Sequence, residues 1–155
     1  MDKIIHQSEV LDYPLELSFR LFTESEHLAN WLTNAAEIEP VVGGKYELFW
    51  NTANREIDST IGCKVLAVEE NKLLCFEWKG SQKFAALMNE TRPFTHVTIF
   101  FMPHERGTEI HLLHNGWRDS VEWDEAREWF AMAWNMSFAS LKKYIANQPI
   151  EKCCE

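Results

Sequence analysis

The chain has 155 residues, of which 46% are hydrophobic and 25% are charged, and its formal net charge at pH 7 is −9. This length fits one domain, and we expect a single domain over residues 1–155. The negative charge argues against binding to nucleic acid or to anionic membranes, because both require basic surfaces. The chain has no apolar run of the roughly 18 residues that span a bilayer and no secretion-signal core at its start, so we expect a cytoplasmic protein.

The first third of the chain predicts one strand followed by two short helices. Residues 3–11 alternate in part and predict an edge strand. Pro14 occupies the first-turn position that proline favours in a helix. Thr23 and Glu26 have the spacing of a capping box, which would begin a second short helix carrying Trp31.

After residue 34 the chain predicts strands separated by short turns. Gly43-Gly44 marks a turn, Gly62 marks a bulge or a close approach, and residues 80–93 form a longer loop that could contain a turn of helix at 84–88. Short connections favour an antiparallel meander with one apolar face that another element must cover. The six predicted strands are 36–42, 45–50, 57–68, 73–79, 94–102 and 108–114.

Residues 122–146 predict the long helix that covers this apolar face. At 1.5 Å per residue the helix would be about 37 Å long. Asp119 is the expected N-cap with Glu122 as its reciprocal partner, and Asn147 and Pro149 would end the helix. One apolar stripe emerges at 100° per residue. It comprises Trp123, Ala126, Phe130, Trp134, Ser137, Phe138, Leu141, Tyr144 and Ile145.

Three apolar residues of the same helix lie outside that stripe, namely Trp129, Met132 and Met136. Their i, i+3, i+7 spacing puts them on a second face. A loop or the N-terminal strand could cover this face. Alternatively, it contacts another protein, because exposed apolar patches mark interfaces.

The four cysteines are Cys63, Cys75, Cys153 and Cys154. None of them forms a Cys-x-x-Cys pair, and the last two are adjacent in a polar tail. For a cytosolic chain this pattern predicts free thiols.

No known cofactor motif is present, and we predict neither a cofactor nor a metal site. The sequence lacks a phosphate-binding loop, a nucleophile elbow and a zinc-binding helix. His111 and His114 are three apart on a strand, so their side chains point to opposite faces. Glu47, Glu77 and Glu109 alternate with apolar neighbours and predict an outer sheet face.

Strand parity places His114 on the core side of its strand, near the start of the long helix. Two interpretations remain open. His114 is either a core histidine satisfied by a carbonyl or a hydroxyl, or a polar anchor in an apolar ligand pocket.

Several residues and short motifs follow one another over nearly the whole chain. They are Pro14, Trp31, Val42-Gly43-Gly44-Lys45-Tyr46, Gly62 with Val65, Leu73-Leu74-Cys75-Phe76-Glu77-Trp78, Gly107-Thr108-Glu109-Ile110-His111-Leu112-Leu113-His114, and Trp134. In this order they resemble the START-like (SRPBCC) superfamily and, within it, the Hsp90-ATPase-activator homologue (AHSA1-type) family. The resemblance implies an α+β helix-grip fold with two short helices after the first strand. It further implies a curved antiparallel sheet of about six to seven strands that wraps a long C-terminal helix, with a cavity between them that can take a hydrophobic small molecule.

We therefore predict a module that binds a hydrophobic or aromatic molecule without catalysis. One alternative is a protein-interaction module, which would bind an Hsp90-type chaperone in the manner of a co-chaperone, or a second copy of the chain, through Trp129, Met132 and Met136. Another is a cyclase- or hydrolase-like enzyme that uses the same cavity. The aromatics could also simply fill the interior, because protein cores pack densely. The predicted lining is Trp31, Tyr46, Leu48, Trp50, Trp78, Phe101, Leu112, His114, Phe130 and Trp134.

Overall fold

The structure is a computed structural model that describes residues 3–148. Its element order is the α+β order predicted from the sequence, with a long helix at the end. The elements are β1 (Ile5–Leu11), α1 (Leu15–Thr23), α2 (Ser25–Trp31), β2 (Ala35–Ile38), β3 (Tyr46–Phe49), β4 (Val65–Glu69), β5 (Leu73–Glu77), a 3-10 turn (Gln82–Phe84), α3 (Ala85–Met88), β6 (His96–His104), β7 (Gly107–Asn115) and α4 (Val121–Ala146).

The strands form a five-stranded antiparallel sheet in the order β1-β7-β6-β5-β4 and a two-stranded sheet of β2 and β3. β1 pairs with β7 and lies at the edge of the larger sheet, as predicted. Of two isolated bridges, Lys45–Lys64 joins the residues just before β3 and β4, and Phe49–Ser59 joins β3 to the turns that precede β4. The helix-grip fold is confirmed, because α4 packs against the apolar face of the larger sheet in one common core.

The prediction of one long strand over residues 57–68 is wrong. The strand in this region is β4, and the preceding residues form turns. Asp58 and Gly62 both have positive φ angles, 50° and 86°, which an extended strand cannot accommodate. These turns bring residues 57–64 across β3 instead of continuing β4.

The apolar stripe predicted for the long helix is confirmed. Ser137 and Tyr144, which also belong to it, are half-buried. The buried residues of α4 are Trp123, Ala126, Phe130, Trp134, Phe138, Leu141 and Ile145.

The N-cap of α4 is Ser120, so the predicted Asp119 cap is wrong. The backbone N–H of Trp123 donates to Ser120 Oγ at 3.1 Å. Asp119 instead pairs with Lys3 at 3.2 Å and is strongly exposed. Both side chains can cap a helix, and the direction in which the chain enters α4 selects the serine.

The predicted capping box at the start of α2 is also wrong. Glu24 occupies the N-cap position, and its side chain makes no capping hydrogen bond to the backbone of α2. The Thr23 hydroxyl donates to the carbonyl of Phe19 at 3.1 Å and so belongs to the end of α1. Because α1 ends at Thr23 and α2 begins at Ser25, Thr23 is the last residue of the first helix and cannot also cap the second.

Glu47 is buried, contrary to the predicted outer position. All four residues of β3 are buried, because residues 57–64 cover the face that the core does not. Glu47 Oε2 accepts a hydrogen bond from the backbone N–H of Gly62 at 2.7 Å, which satisfies the buried carboxylate.

Candidate functional site

A cavity of about 510 Å³ lies between the middle of α4, the residues that follow β3 and β5, and the end of α2. Its volume falls in the range of about 300–1,000 Å³ that is typical of small-molecule sites. The wall is mainly aromatic, and the polar lining residues are Ser137 of α4 and residues at 58–59 and 79–83. The apolar wall consists of Leu32, Trp50, Trp78, Trp129, Phe130, Ala133 and Trp134.

Trp78 lies at the centre of the aromatic wall. Its ring centroid is 5.0 Å from that of Trp134, and its ring is nearly perpendicular to those of Trp50 and Phe130, at 6.0 and 6.2 Å. Such edge-to-face contacts fix each ring relative to the next. The Trp50 N–H donates to the carbonyl of Leu32 at 3.1 Å, which holds this ring at the cavity edge.

Local sequence explains why these rings meet. Trp78 continues the alternation of Leu74 and Phe76, so it points to the core face one residue past the end of β5. Phe130 and Trp134 are four apart on α4 and therefore lie on one side of the helix.

The loop that forms one rim is tightly held at Gly80. Its backbone N–H donates to Asn89 Oδ1 at 2.7 Å, and the Asn89 side-chain amide donates back to the Gly80 carbonyl at 3.2 Å. A Cβ at residue 80 would lie 2.8 Å from Met88 Sδ and 3.1 Å from Phe84 Cβ. Only glycine lets the loop approach the 3-10 turn and α3 this closely.

The rim carries three charged side chains. Asp58 Oδ1 accepts a hydrogen bond from the backbone N–H of Gln82 at 2.6 Å, so this carboxylate is used to begin the 3-10 turn. Lys83 is exposed and pairs with Glu125 at 3.8 Å. Lys79 is half-buried and makes no ion pair within residues 3–148.

His114 lies behind Trp134, outside the cavity wall, and is completely buried. The Trp134 N–H donates to His114 Nδ1 at 3.1 Å, so Nε2 carries the proton and donates to Thr95 Oγ1 at 3.0 Å. Burial holds the pKa of His114 well below its usual value. His111 lies on the opposite face, as predicted, and contacts Glu109 at 2.6 Å.

A family model described as "Activator of Hsp90 ATPase homolog 1-like protein" matches residues 12–146. The chain belongs to this AHSA1-like family. A search among curated proteins found no match.

Solved structures share the AHSA1-like fold at low sequence identity. A protein from Mesorhizobium loti has a TM-score of 0.74 and 21% identity over 96% of this chain and 100% of its own. A protein from Staphylococcus saprophyticus has a TM-score of 0.71 and 17% identity over 94% and 93%. A protein described as the Aha1 dimer from Colwellia psychrerythraea has a TM-score of 0.70 and 20% identity over 92% and 96%. Such identities show a common fold and nothing finer.

Within this AHSA1-like domain, four of the ten residues predicted to line a pocket meet at the cavity, namely Trp50, Trp78, Phe130 and Trp134. The other six lie away from its wall because the packed interior engages them. Tyr46, for example, stacks on Phe76 at 3.7 Å and donates its hydroxyl proton to the carbonyl of Phe22 at 2.6 Å. These six residues are Trp31, Tyr46, Leu48, Phe101, Leu112 and His114.

The sequence prediction did not include the lining residues of the loops or two small residues of α4. Ala133 and Ser137 follow Phe130 at helical spacing, so the period of α4 could have found them. The rim residues at 58–59 and 79–83 gave no such signal, because they reach the cavity through turns that carry no periodic pattern.

The second face of α4 remains exposed, with exposed fractions of 41% for Trp129, 67% for Met132 and 68% for Met136. Among residues 3–148, neither a loop nor the N-terminal strand covers the two methionines. Trp129 packs edge-on against Phe84 at 5.7 Å and also lines the cavity. This surface, which we call the methionine face, therefore adjoins the cavity.

Cys63 and Cys75 are free thiols. Burial raises the pKa of the Cys63 thiol to about 12, which disfavours the reactive thiolate. Cys153 and Cys154 lie outside the described residues. Across residues 3–148, no cluster of three or more histidine, cysteine or acidic side chains is placed to hold a metal ion, and no helix is long and apolar enough to cross a membrane.

Proposed function

We propose that the chain binds a small apolar or aromatic molecule, without catalysis, in the cavity between α4 and the sheet. The observation that carries this proposal is the cavity of about 510 Å³ with an aromatic wall. Each Å² of apolar surface that a ligand covers contributes roughly 25 cal/mol. The edge-to-face packing around Trp78 favours binding further, because a preformed wall requires little ordering when the ligand enters.

The uncharged fluorophore N-phenyl-naphthylamine provides a direct test, because its emission rises in apolar surroundings. We expect a saturable increase with one molecule bound per chain. Ala133→Phe places a ring in the cavity and should abolish this signal. Ala139→Phe, an exposed site on the same helix outside the cavity, is the matched control and should bind normally. A lack of saturable binding, or equal binding by both variants, would refute the proposal.

A cyclase- or hydrolase-like reaction in the cavity would need a polar group that is free to act on a substrate. Both ring nitrogens of His114 are engaged, with Trp134 and Thr95, and His114 does not line the cavity. The version of this alternative built on His114 therefore has no support from the geometry, and binding is the function that we propose.

A second candidate function is self-association through the methionine face. Met132 and Met136 are about two-thirds exposed, and exposed apolar patches mark interfaces. The fold relative from Colwellia psychrerythraea is described as a dimer. We propose that a second copy of the chain covers this face.

Light scattering over a range of concentrations tests self-association. We expect a dimer mass for the unmodified chain and a monomer mass for Met132→Gln/Met136→Gln. Met102→Gln, an exposed methionine of β6 on a different surface, should leave the dimer intact. A monomer at all concentrations would exclude the second copy. Retention by a purified Hsp90-type chaperone, lost in the double variant, would assign the face to the co-chaperone alternative instead.

A further inference from the structure

The carboxylate of Asp58 is held at the rim of the cavity by two other lining residues. Its Oδ1 atom accepts a hydrogen bond from the backbone N–H of Gln82 at 2.6 Å. The backbone carbonyl of Asp58 accepts a second bond, from the backbone N–H of Trp50 at 3.1 Å. Asp58, Gln82 and Trp50 all line the cavity. The negative charge of Asp58 therefore lies beside the aromatic wall.

The two lysines of the lining direct their ammonium groups away from the cavity. Lys79 Nζ lies 5.3 Å from the centre of the Phe94 ring. Lys83 Nζ lies 3.8 Å from Glu125 Oε1 and 5.3 Å from the centre of the Phe84 ring. These three partners lie outside the cavity wall. The positive charges of the lysines are thus engaged elsewhere, and the charge that remains at the cavity is negative.

The charge of Asp58 is not compensated by a basic side chain. Within residues 3–148, no lysine, arginine or histidine lies within 4 Å of this carboxylate. Since Asp58 is half-buried, a cation beside it would be attracted more strongly than at a fully exposed carboxylate. The net charge of −9 also raises the local concentration of cations around the whole chain.

The aromatic wall supplies a second, independent feature that attracts a cation. The ring planes of Trp50 and Trp78 are 72° apart with centroids separated by 6.0 Å, and those of Trp78 and Phe130 are 88° apart at 6.2 Å. The space beside such a T-shaped pair is bordered by a face of each ring. Ring faces carry the negative part of the aromatic quadrupole, and tryptophan attracts ammonium groups most strongly.

We propose that the ligand is an amphipathic organic cation, with its apolar body among the aromatic rings and its ammonium group between Asp58 and the ring of Trp50. The backbone bond between these two residues puts their side chains at one place on the rim. An alkylated ammonium group fits best, because ring faces offer no conventional acceptor for the three N–H donors of a primary one. This inference rests on the binding function proposed above and names its ligand class.

Three probes of similar shape separate the effect of charge from that function. Phenyltrimethylammonium carries a positive head group, tert-butylbenzene an uncharged one and benzenesulfonate a negative one. Each competes with N-phenyl-naphthylamine, and the loss of fluorescence measures its affinity. The Met132→Gln/Met136→Gln background avoids signal from the methionine face. We expect the cation to bind about five- to tenfold more tightly than tert-butylbenzene, and benzenesulfonate to bind most weakly.

Asp58→Asn removes the charge with little change of shape. Asparagine also tolerates the positive φ of 50° and can still accept the Gln82 N–H. It should weaken the cation about three- to fivefold and tert-butylbenzene by less than about twofold. The matched control is Glu56→Gln, an exposed acid of the same segment outside the cavity, which should keep the full preference.

Trp50→Leu tests the aromatic contribution. It keeps an apolar side chain but removes the ring face, so it should weaken the cation more than tert-butylbenzene. Circular dichroism establishes that each variant is folded.

Each alternative outcome has a separate meaning. If the three probes bind equally well and Ala133→Phe abolishes their binding, the cationic inference fails and the binding function stands. If neither N-phenyl-naphthylamine nor any of the three probes binds, the binding function fails and the inference fails with it. Tightest binding by benzenesulfonate would contradict a negative cavity. A cation preference that survives both Asp58→Asn and Trp50→Leu overturns the assignment to this part of the rim.

Discussion

His114 is kept neutral by its surroundings. It is fully buried, both ring nitrogens are engaged, and its pKa lies well below the usual value because burial penalises the charged form. Protonation would also remove the acceptor for the Trp134 N–H, since Nδ1 would then carry a proton. The position of Trp134 in the cavity wall thus depends on a neutral His114.

This arrangement predicts a loss of stability in mild acid. Below a pH of about 6.5 the unfolded chain takes up a proton on His114 that the folded chain does not, so the unfolding free energy falls as the pH decreases. The contribution is at most about 1.4 kcal/mol per pH unit. His96, whose pKa is also lowered by burial, acts in the same direction. Urea unfolding at several values between about pH 7.5 and about pH 5.5 measures the slope.

The substitution His114→Gln should flatten this slope while lowering stability at neutral pH, because glutamine cannot take up a proton. The control is His104→Gln, in the β6–β7 hairpin, which should retain the slope of the unmodified chain. A slope unchanged by His114→Gln would show that other groups cause the acid sensitivity.

At the scale of elements, β3 depends on Thr60 for its second set of hydrogen bonds. The backbone N–H of Leu48 donates to Thr60 Oγ1 at 2.9 Å, the Thr60 hydroxyl donates to the carbonyl of Tyr46 at 3.2 Å, and the Thr60 N–H donates to the Leu48 carbonyl at 2.9 Å. The Thr60 hydroxyl thus acts as the acceptor and the donor that the backbone of a neighbouring strand would otherwise supply to β3. This is how residues 57–64 cover β3 without forming a strand themselves.

Thr60→Val should therefore destabilise the fold by about 1–3 kcal/mol, because it leaves a buried N–H without its acceptor at nearly constant volume. Urea unfolding measures the loss. Thr98→Val is the matched control, because the Thr98 hydroxyl donates to Cys75 Sγ at 3.3 Å in a half-buried position on β6. The prediction fails if both variants lose the same stability.

The start of α4 provides a second test at this scale. Ser120→Ala removes the cap from the Trp123 N–H and should cost about 1 kcal/mol. Asp119→Ala removes an exposed ion pair with Lys3, which contributes roughly 0–1 kcal/mol. Thermal unfolding of the two variants compares the residues directly. If Asp119→Ala lowered the stability more than Ser120→Ala, Asp119 would be the N-cap after all, as the sequence predicted.

At the scale of the whole molecule, ligand binding and folding are linked through the cavity. A molecule that binds the folded chain alone, at a concentration of about 100 times its Kd, raises the unfolding free energy by about 2.7 kcal/mol. For a chain of this length we expect the unfolding temperature to rise by roughly 5–10 °C. N-phenyl-naphthylamine should produce this shift in the unmodified chain and in Ala139→Phe. It should not produce the shift in Ala133→Phe.

The sequence was most informative where a regular period encodes burial. Leu74, Phe76 and Trp78 alternate along one strand and its extension, and all three are buried. Within the candidate site, the same periods found Phe130 and Trp134 but not the loop side chains that form the rim. A period states which side of an element is apolar. It does not state whether a large aromatic side chain there fills the core, as Tyr46 does, or borders a cavity.

The sequence by itself determined the order of the elements, the apolar stripe of α4 and the resemblance to a helix-grip family. These features depend only on the spacing of neighbouring residues and on the order of short motifs, which can be read without the tertiary structure. The tertiary structure alone decided the place and chemistry of the cavity. Positive φ angles at Asp58 and Gly62 turn one segment across β3, and the bonds of Asn89 close the loop at Gly80. These turns bring Asp58 and Lys79 to one rim. Such contacts join residues far apart in sequence, so no local pattern specifies them.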